Sequence, residues 1–256
     1  MSFWLYVFSG LVVGCLVGLT GVGGGSLMTP LLILLFGVHP ATAVGSDLLY
    51  AATTKVVGTT VHGQHGSVDW RITRRLATGS VPAVIVTLAI LTRWPSSGHQ
   101  SAFLSVTLGL VLLVTAILLL ARKVLLALLA APIERLLPAQ ITALTVVTGA
   151  VLGTLVTLTS VGAGALGMTM LLLLYPRSPI VRLVGSDIAH AVPLTLLAGF
   201  GHWFLGDVNF SLVGSLLLGS VPGVVLGSLL SVRVPELVLR LLLAAVLLVA
   251  ASQLLT

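Results

Sequence analysis

Long apolar stretches dictate where this chain can reside. The run FWLYVFSGLVVGCLVG at residues 3–18 and the run LLILLFGV at 31–38 are almost unbroken hydrophobic sequence. Several later stretches approach the roughly 20 apolar residues that cross a bilayer. Of the 256 residues, 57% are hydrophobic and 7% are charged, whereas a soluble domain carries about 25% charged residues. The pattern predicts an all-α polytopic integral membrane protein. The N-terminal stretch has no basic segment ahead of it and runs straight into the rest of the fold, so it reads as a permanent element and not a removable signal. Cys15 is the single cysteine, which excludes an internal disulfide. The net charge of +6 arises from basic residues scattered over loops. They read as orientation signals, with the bilayer and not nucleic acid as the partner.

Ten helical elements are predicted, at roughly 3–20, 26–37, 41–63, 72–92, 101–121, 141–158, 164–175, 180–203, 210–231 and 235–255. The second and seventh hold about twelve residues, short for a full span and suited to half-helices. Trp4, Tyr6, Trp70, Trp94, Tyr175 and Trp203 fall at element ends, as interfacial aromatic residues do.

An internal repeat organises these elements. AVGSDLLYA at 43–51 returns as LVGSDIAHA at 183–191, and GSVP at 79–82 returns at 219–222. His62 returns as His202, and GSV at 66–68 as GDV at 206–208. From Val44 to Pro82, thirteen of thirty-nine positions match at an offset of 140. The matches include Gly, Ser, Asp, His and Pro, so shared hydrophobicity does not account for them. LTGVGGGSL at 19–27 matches LTSVGAGAL at 158–166 at an offset of 139. The expected organisation is a first repeat over 1–121, a cytoplasmic linker over 122–140 and a second repeat over 141–256.

Charge sets the orientation of the halves. Arg71, Arg74, Arg75, Arg122, Lys123, Arg135, Arg177, Arg182, Arg233 and Arg240 can all be placed on one side, which the positive-inside rule makes cytoplasmic. The loop after the third element carries three arginines, and its repeat mate at 204–215 carries no Lys or Arg. Equivalent loops are therefore expected on opposite faces, which gives inverted-topology repeats with both termini on the non-cytoplasmic side. The linker RKVLLALLAAPIERLLPAQ has the composition of an interfacial helix or of a plain tether.

The stretch LTGVGGGSLMTP at 19–30 sets glycines and hydroxyls inside this apolar sequence. A broken helix in a membrane exposes backbone N–H and C=O groups, so it must face protein or a water-filled cavity. In return it offers N–H groups and the positive end of a half-helix dipole to an anion. Gly23, Gly24 and Gly25 would let the backbone approach a ligand, and Thr20 and Ser26 add hydroxyls. Thr159, Ser160, Gly162 and Gly164 would supply the second half, so two breaks meet near the midplane. Close helix packing through small residues is the alternative.

Ser46, Asp47, Lys55 and His62 lie on the third element, and Ser186, Asp187, His190 and His202 on the eighth, where Thr195 stands in place of Lys55. Asp47 and Lys55 are about 12 Å apart along a helix axis. Lys55 reads as an anion contact or as one half of an ion pair with Asp187. Asp47 and Asp187 read as carriers of coupling protons, or as helix caps or hydrogen-bond partners of the broken segments. His62, His190 and His202 are further proton-coupling candidates, with interfacial placement the alternative for His62 and His202. Asp69 and Asn209 are expected to cap the helices that follow them.

The motifs GLTGVGGGSLMTPLL, ATAVGSDLL, HGQHGSVDW and GSVPA, with their degenerate copies TLTSVGAGAL, RLVGSDIAHAVPL, GHWFLGDVNF and GSVPGVVLGSLL, resemble the sulfite exporter TauE/SafE family. The resemblance covers nearly the whole chain. It implies bacterial inner-membrane transport of a small sulfur-containing anion such as sulfite, thiosulfate or an organosulfonate. Family members usually carry a glycine-rich second motif. TSVGAGALGM departs from it, which implies a second half-site less dependent on glycine. No GxxxxGK[ST] motif is present, so a secondary transporter is expected, with no cofactor and no bound metal. An intramembrane aspartyl enzyme would need Asp47 and Asp187 to share a proton, which helices starting from opposite faces disfavour. A metal-ion transporter or a non-transport membrane component is the remaining alternative, and the six histidines are dispersed.

Overall fold

The computed structural model describes residues 2–20, 25–64, 67–93, 98–231 and 236–255. They form α1 (Ser2–Thr20), α2 (Gly25–Phe36), α3 (Pro40–Gln64), α4 (Trp70–Arg93), α5 (Gly98–Glu134), α6 (Pro138–Thr159), α7 (Ala165–Leu174), α8 (Ile180–Phe204), α9 (Phe210–Ser231) and α10 (Glu236–Leu255), with no strand among the described residues. Six described helices, α4, α5, α6, α8, α9 and α10, are long and apolar enough to cross a bilayer. The protein is an all-helical, multi-pass membrane protein. Its polarity is distributed accordingly. Ile85, Val147, Val221 and Leu241 are exposed on the outer helix faces, while Asp47, Lys55, Asp187 and His190 are buried.

Element order follows the reading from sequence, with one extension. α5 runs on to Glu134, so residues 122–134 of the segment read as a linker continue that helix. VLLALLAA, residues 124–131, is built of Leu, Ala and Val without a glycine or proline, so nothing there ends a helix. The turn comes at 135–137, and Pro138 opens α6 in the position where its missing N–H costs nothing.

Helix pairing repeats between the halves. α1 packs on α9 as α6 packs on α4, and α3 packs on α8 while α5 packs on α10. The match extends to single residues. Gly10 and Gly14 of α1 lie against the backbone of Leu216 and Ser220, and Gly149 and Gly153 of α6 lie against that of Leu76 and Ser80. The offsets are 139 within α1 and α6 and 140 within α4 and α9, which is why the repeat falls one residue out of step in sequence. These small residues let backbones approach closely, as in other membrane bundles. α1 and α9 run parallel, as do α6 and α4. α3 and α8 run antiparallel, since Gly45 meets His202 and Gly199 meets Leu49.

Two buried serines tie the central pair to the loops. Ser46 Oγ accepts the backbone N–H of Asn209 at 3.0 Å, and Ser186 Oγ accepts that of Asp69 at 2.8 Å. Asp69 Oδ1 in turn accepts from Arg71 N at 2.9 Å, and Asn209 Oδ1 from Leu212 N at 3.0 Å. Both residues therefore cap their helices.

Candidate functional site

Three consecutive choices in the sequence make the break between α6 and α7. Ser160 ends α6 in the left-handed region at φ 59°, with its N–H on Val156 O. Gly162 at φ 123° and Gly164 at φ 135° occupy backbone conformations open to glycine and strained for other residues. Ala163 between them is not at positive φ, while Gly162 and Gly164 are, so this half-site still depends on two glycines, against the lesser dependence expected from the motif. Thr159 Oγ1 accepts the N–H of Val161 at 3.1 Å and fastens the turn. α7 then starts with no side-chain cap at Gly164. In its first turn the N–H of Gly167 donates back to Gly162 O at 3.1 Å, while those of Ala165 and Leu166, both buried residues, have no intrahelical acceptor.

Lys55 reaches this break from α3, where its ammonium donates to Ala163 O at 3.0 Å. Asp187 and Asp47 both lie within its electrostatic reach, as does His190. No carboxylate comes within ion-pairing distance of Lys55 among the described residues. The ion pair with Asp187 considered from sequence is thus not formed as a direct contact.

The two aspartates have different partners. Thr29 Oγ1 of α2 donates to Asp47 Oδ2 at 2.5 Å, and the Ser160 hydroxyl faces the same carboxyl without reaching hydrogen-bond geometry. Asp187 packs against Gly167 of α7, where a methyl group would collide with Oδ1. That Oδ1 is buried without a partner. Neither aspartate is a helix cap, since each lies seven residues inside its helix, counted from Pro40 and Ile180. They share no hydrogen bond among the described residues.

The other candidates lie around this cluster or away from it. His190 Nε2 is 2.8 Å from Ser80 Oγ, and its Nδ1 is buried without a partner. Its repeat mate is Tyr50, whose hydroxyl lies beside Ser220. His202 is buried at the far end of α8, with Nε2 2.9 Å from Thr157 O and Nδ1 3.3 Å from Asp207 Oδ2. It joins helices and is not an exposed interfacial residue. Ser46 and Ser186 hold loops, and Thr159 turns onto its own backbone. Gly25 opens α2. Gly23 and Gly24 lie outside the described residues, as do the side chains of Thr20, Ser26 and His62.

Thr29, Tyr50 and the Ser80–Ser220 pair were not picked out as site residues in the sequence. Ser80 and Ser220 did carry a signal, being repeated in GSVP. Thr29 carried none beyond its position in the glycine stretch.

Comparison with known proteins places this arrangement. The family model "Sulfite exporter TauE/SafE" matches residues 6–254. A Bacillus subtilis (strain 168) protein named "Probable membrane transporter protein YjnA" is 39% identical over 251 residues, covering 97% of this chain and 98% of that protein. A Xylella fastidiosa (strain 9a5c) "Probable membrane transporter protein" is 30% identical over 107 residues, 42% of this chain and 40% of the relative. No solved structure matches. With a family match running nearly end to end and a full-length relative, the chain belongs to the sulfite exporter TauE/SafE family of membrane transporters.

Proposed function

We propose that the protein is a secondary transporter, not an enzyme, that carries a small sulfur-containing oxyanion across the bacterial inner membrane in exchange for or together with protons. The observation that carries this reading is the buried, uncapped N-terminus of α7 with the Lys55 ammonium beside it. The first-turn N–H groups of Ala165 and Leu166, a positive helix end and a cation without a carboxylate partner among the described residues are the elements of an oxyanion site. Thr159, Ser160, Gly162 and Gly164 form its turn, and the sequence repeat alone supports giving Thr20 and the Gly23–Ser26 segment the same role in the first half. The Asp187 carboxyl lies near Lys55 and lacks a hydroxyl donor of the kind Thr29 gives Asp47, and it is assigned to the coupling proton. Asp47 is assigned to holding α2.

The antiparallel α3–α8 pair supports inverted repeats, because equivalent helices running in opposite senses reverse one half relative to the other. Arg71, Arg74 and Arg182 gather at one end of the bundle. Taking that end as cytoplasmic puts both termini outside. Rocking of one half against the other then supplies alternating access.

The test is flux of radiolabelled sulfite, thiosulfate and sulfoacetate into liposomes, with and without a pH gradient. Saturable flux should follow the gradient, Lys55→Met should abolish it, and Asp187→Asn should retain anion exchange while losing the response to the gradient. Flux of a divalent cation in place of the anions, or Asp187→Asn flux that follows the gradient like the wild type, would overturn the assignment.

A further inference from the structure

A second basic site lies outside the central cluster, at the end of the bundle where α4 and α8 begin. A cleft of about 450 Å³ is lined by Val68, Asp69, Trp70, Arg71, Arg74 and Arg182. Three arginines line one space, and no carboxylate reaches ion-pairing distance of any of them among the described residues. Glu134 pairs with Arg177, and Asp69 is occupied in capping α4. The N-termini of α4 and α8 both point their positive ends here.

The repeat makes this placement informative. At the offset of 140, the mates of Arg71, Arg74 and Arg182 are Ser211, Gly214 and Thr42, all uncharged. The backbone frame is duplicated, but the charge is not. Orientation in the membrane requires basic residues on one side, yet it does not require three of them to converge unpaired on one cleft. Mutual repulsion of three cations is relieved by an anion between them.

We infer that this cleft is an entry vestibule that captures a small doubly charged oxyanion on the arginine-bearing side and delivers it to the central site. This rests on the transport reading above. Delivery is short. Arg182, Ser186 and His190 follow one another at helical spacing on α8, and Asp187 is about 7.5 Å along the axis from Arg182. Ser186 Oγ donates to Arg182 O at 2.7 Å and touches Asp69, so one contact links the cleft to the buried face. Val68 and Trp70 are the apolar residues of the lining, so the cleft presents mainly charged groups and little apolar surface to a bound molecule. A free anion therefore fits better than a lipid headgroup. Local concentration of anions by such a field speeds capture and is weakened by salt.

Trp70 is 52% exposed in the cleft wall and serves as a reporter. Full-length protein in lipid-free detergent would be titrated with thiosulfate while its tryptophan fluorescence is followed. A saturable change is expected. It should vanish in Trp70→Phe and weaken on the order of tenfold per guanidinium removed in Arg74→Gln/Arg182→Gln. In liposomes the same double variant should raise KM for anion added on the arginine side and leave KM from the other side unchanged. Equal affinity in the double variant, an unchanged KM on both sides, or a signal that appears only after adding phosphatidylglycerol would overturn the vestibule, the last in favour of a headgroup site. A fluorescence change of the expected kind without flux would instead overturn the transport reading and leave the cleft as an anion site.

Discussion

Thr29→Val tests the division of labour between the two aspartates. The substitution keeps the side-chain shape and removes the hydroxyl that donates to Asp47 Oδ2 at 2.5 Å. Both residues are fully buried, and Asp47 Oδ1 already lacks a partner. A hydrogen bond to a charged group contributes about 1.5–3 kcal/mol in soluble proteins. Interhelical bonds in a bilayer average about 0.6 kcal/mol and reach about 1.7, because the unfolded helices also find partners. A short bond on a carboxyl with so little other support belongs near the upper membrane value, so the expected interaction is about 1.5 kcal/mol, roughly tenfold in the folding equilibrium. The assay is a double-mutant cycle of Thr29→Val with Asp47→Leu, read by equilibrium unfolding in mixed micelles. Coupling of about 0.3 kcal/mol or less, the scatter of independent sites, would refute the view that Asp47 holds α2 in place. Thr29→Val should also keep flux that follows the pH gradient, since it leaves Lys55 and Asp187 untouched. A variant that stays folded and loses the gradient response would move the coupling role to Asp47.

Two further predictions address the duplicated frame. Gly14→Val and Gly153→Val should each push a side chain into a neighbouring backbone, that of Ser220 or Ser80, and lower stability by a similar 1–3 kcal/mol or more, measured as folded fraction by size exclusion after stepwise heating. Ser46→Ala and Ser186→Ala should each remove the acceptor of a loop N–H at a cost of about 1 kcal/mol. Hydrogen exchange should show the first exposing the amide of Asn209 alone and the second that of Asp69 alone.

The order of helices was legible because apolar length and interrupting polar residues act locally. The frame of equivalent contacts was legible in outline because GSD and GSVP recur at one spacing. Asp69 and Asn209 were readable as caps because capping needs only the next turn of chain. Partners across helices were not. Nothing local connects Thr29 to Asp47, Ser186 to Asp69, or Lys55 to a carbonyl 108 residues away. His202 looked interfacial because it lies near the end of α8, yet the loop at 205–209 folds back and buries it. The length of α5 was missed because charges at Arg122 and Lys123 suggest an end to the span, while helix formation itself tolerates them.

What the halves do not share is more telling than what they do. Backbone contacts at the glycines are repeated. The side chains near the centre are not. Lys55 faces Thr195 in the repeat, His190 faces Tyr50, and the Thr29 bond to Asp47 has no counterpart at Asp187, which meets Gly167. A second ammonium in place of Thr195 would add another buried charge, costing at least about 2.5 kcal/mol on insertion scales. Under the proposed transport reading, the single Lys55 ammonium serves the anion when a neighbouring carboxyl is protonated, since two ionised carboxylates would cancel its charge. The proposed single anion site with one coupling group thus rests on an asymmetry in charge between halves whose helix contacts match, and a Thr195→Lys variant that still carries the anion at the wild-type rate would remove that ground.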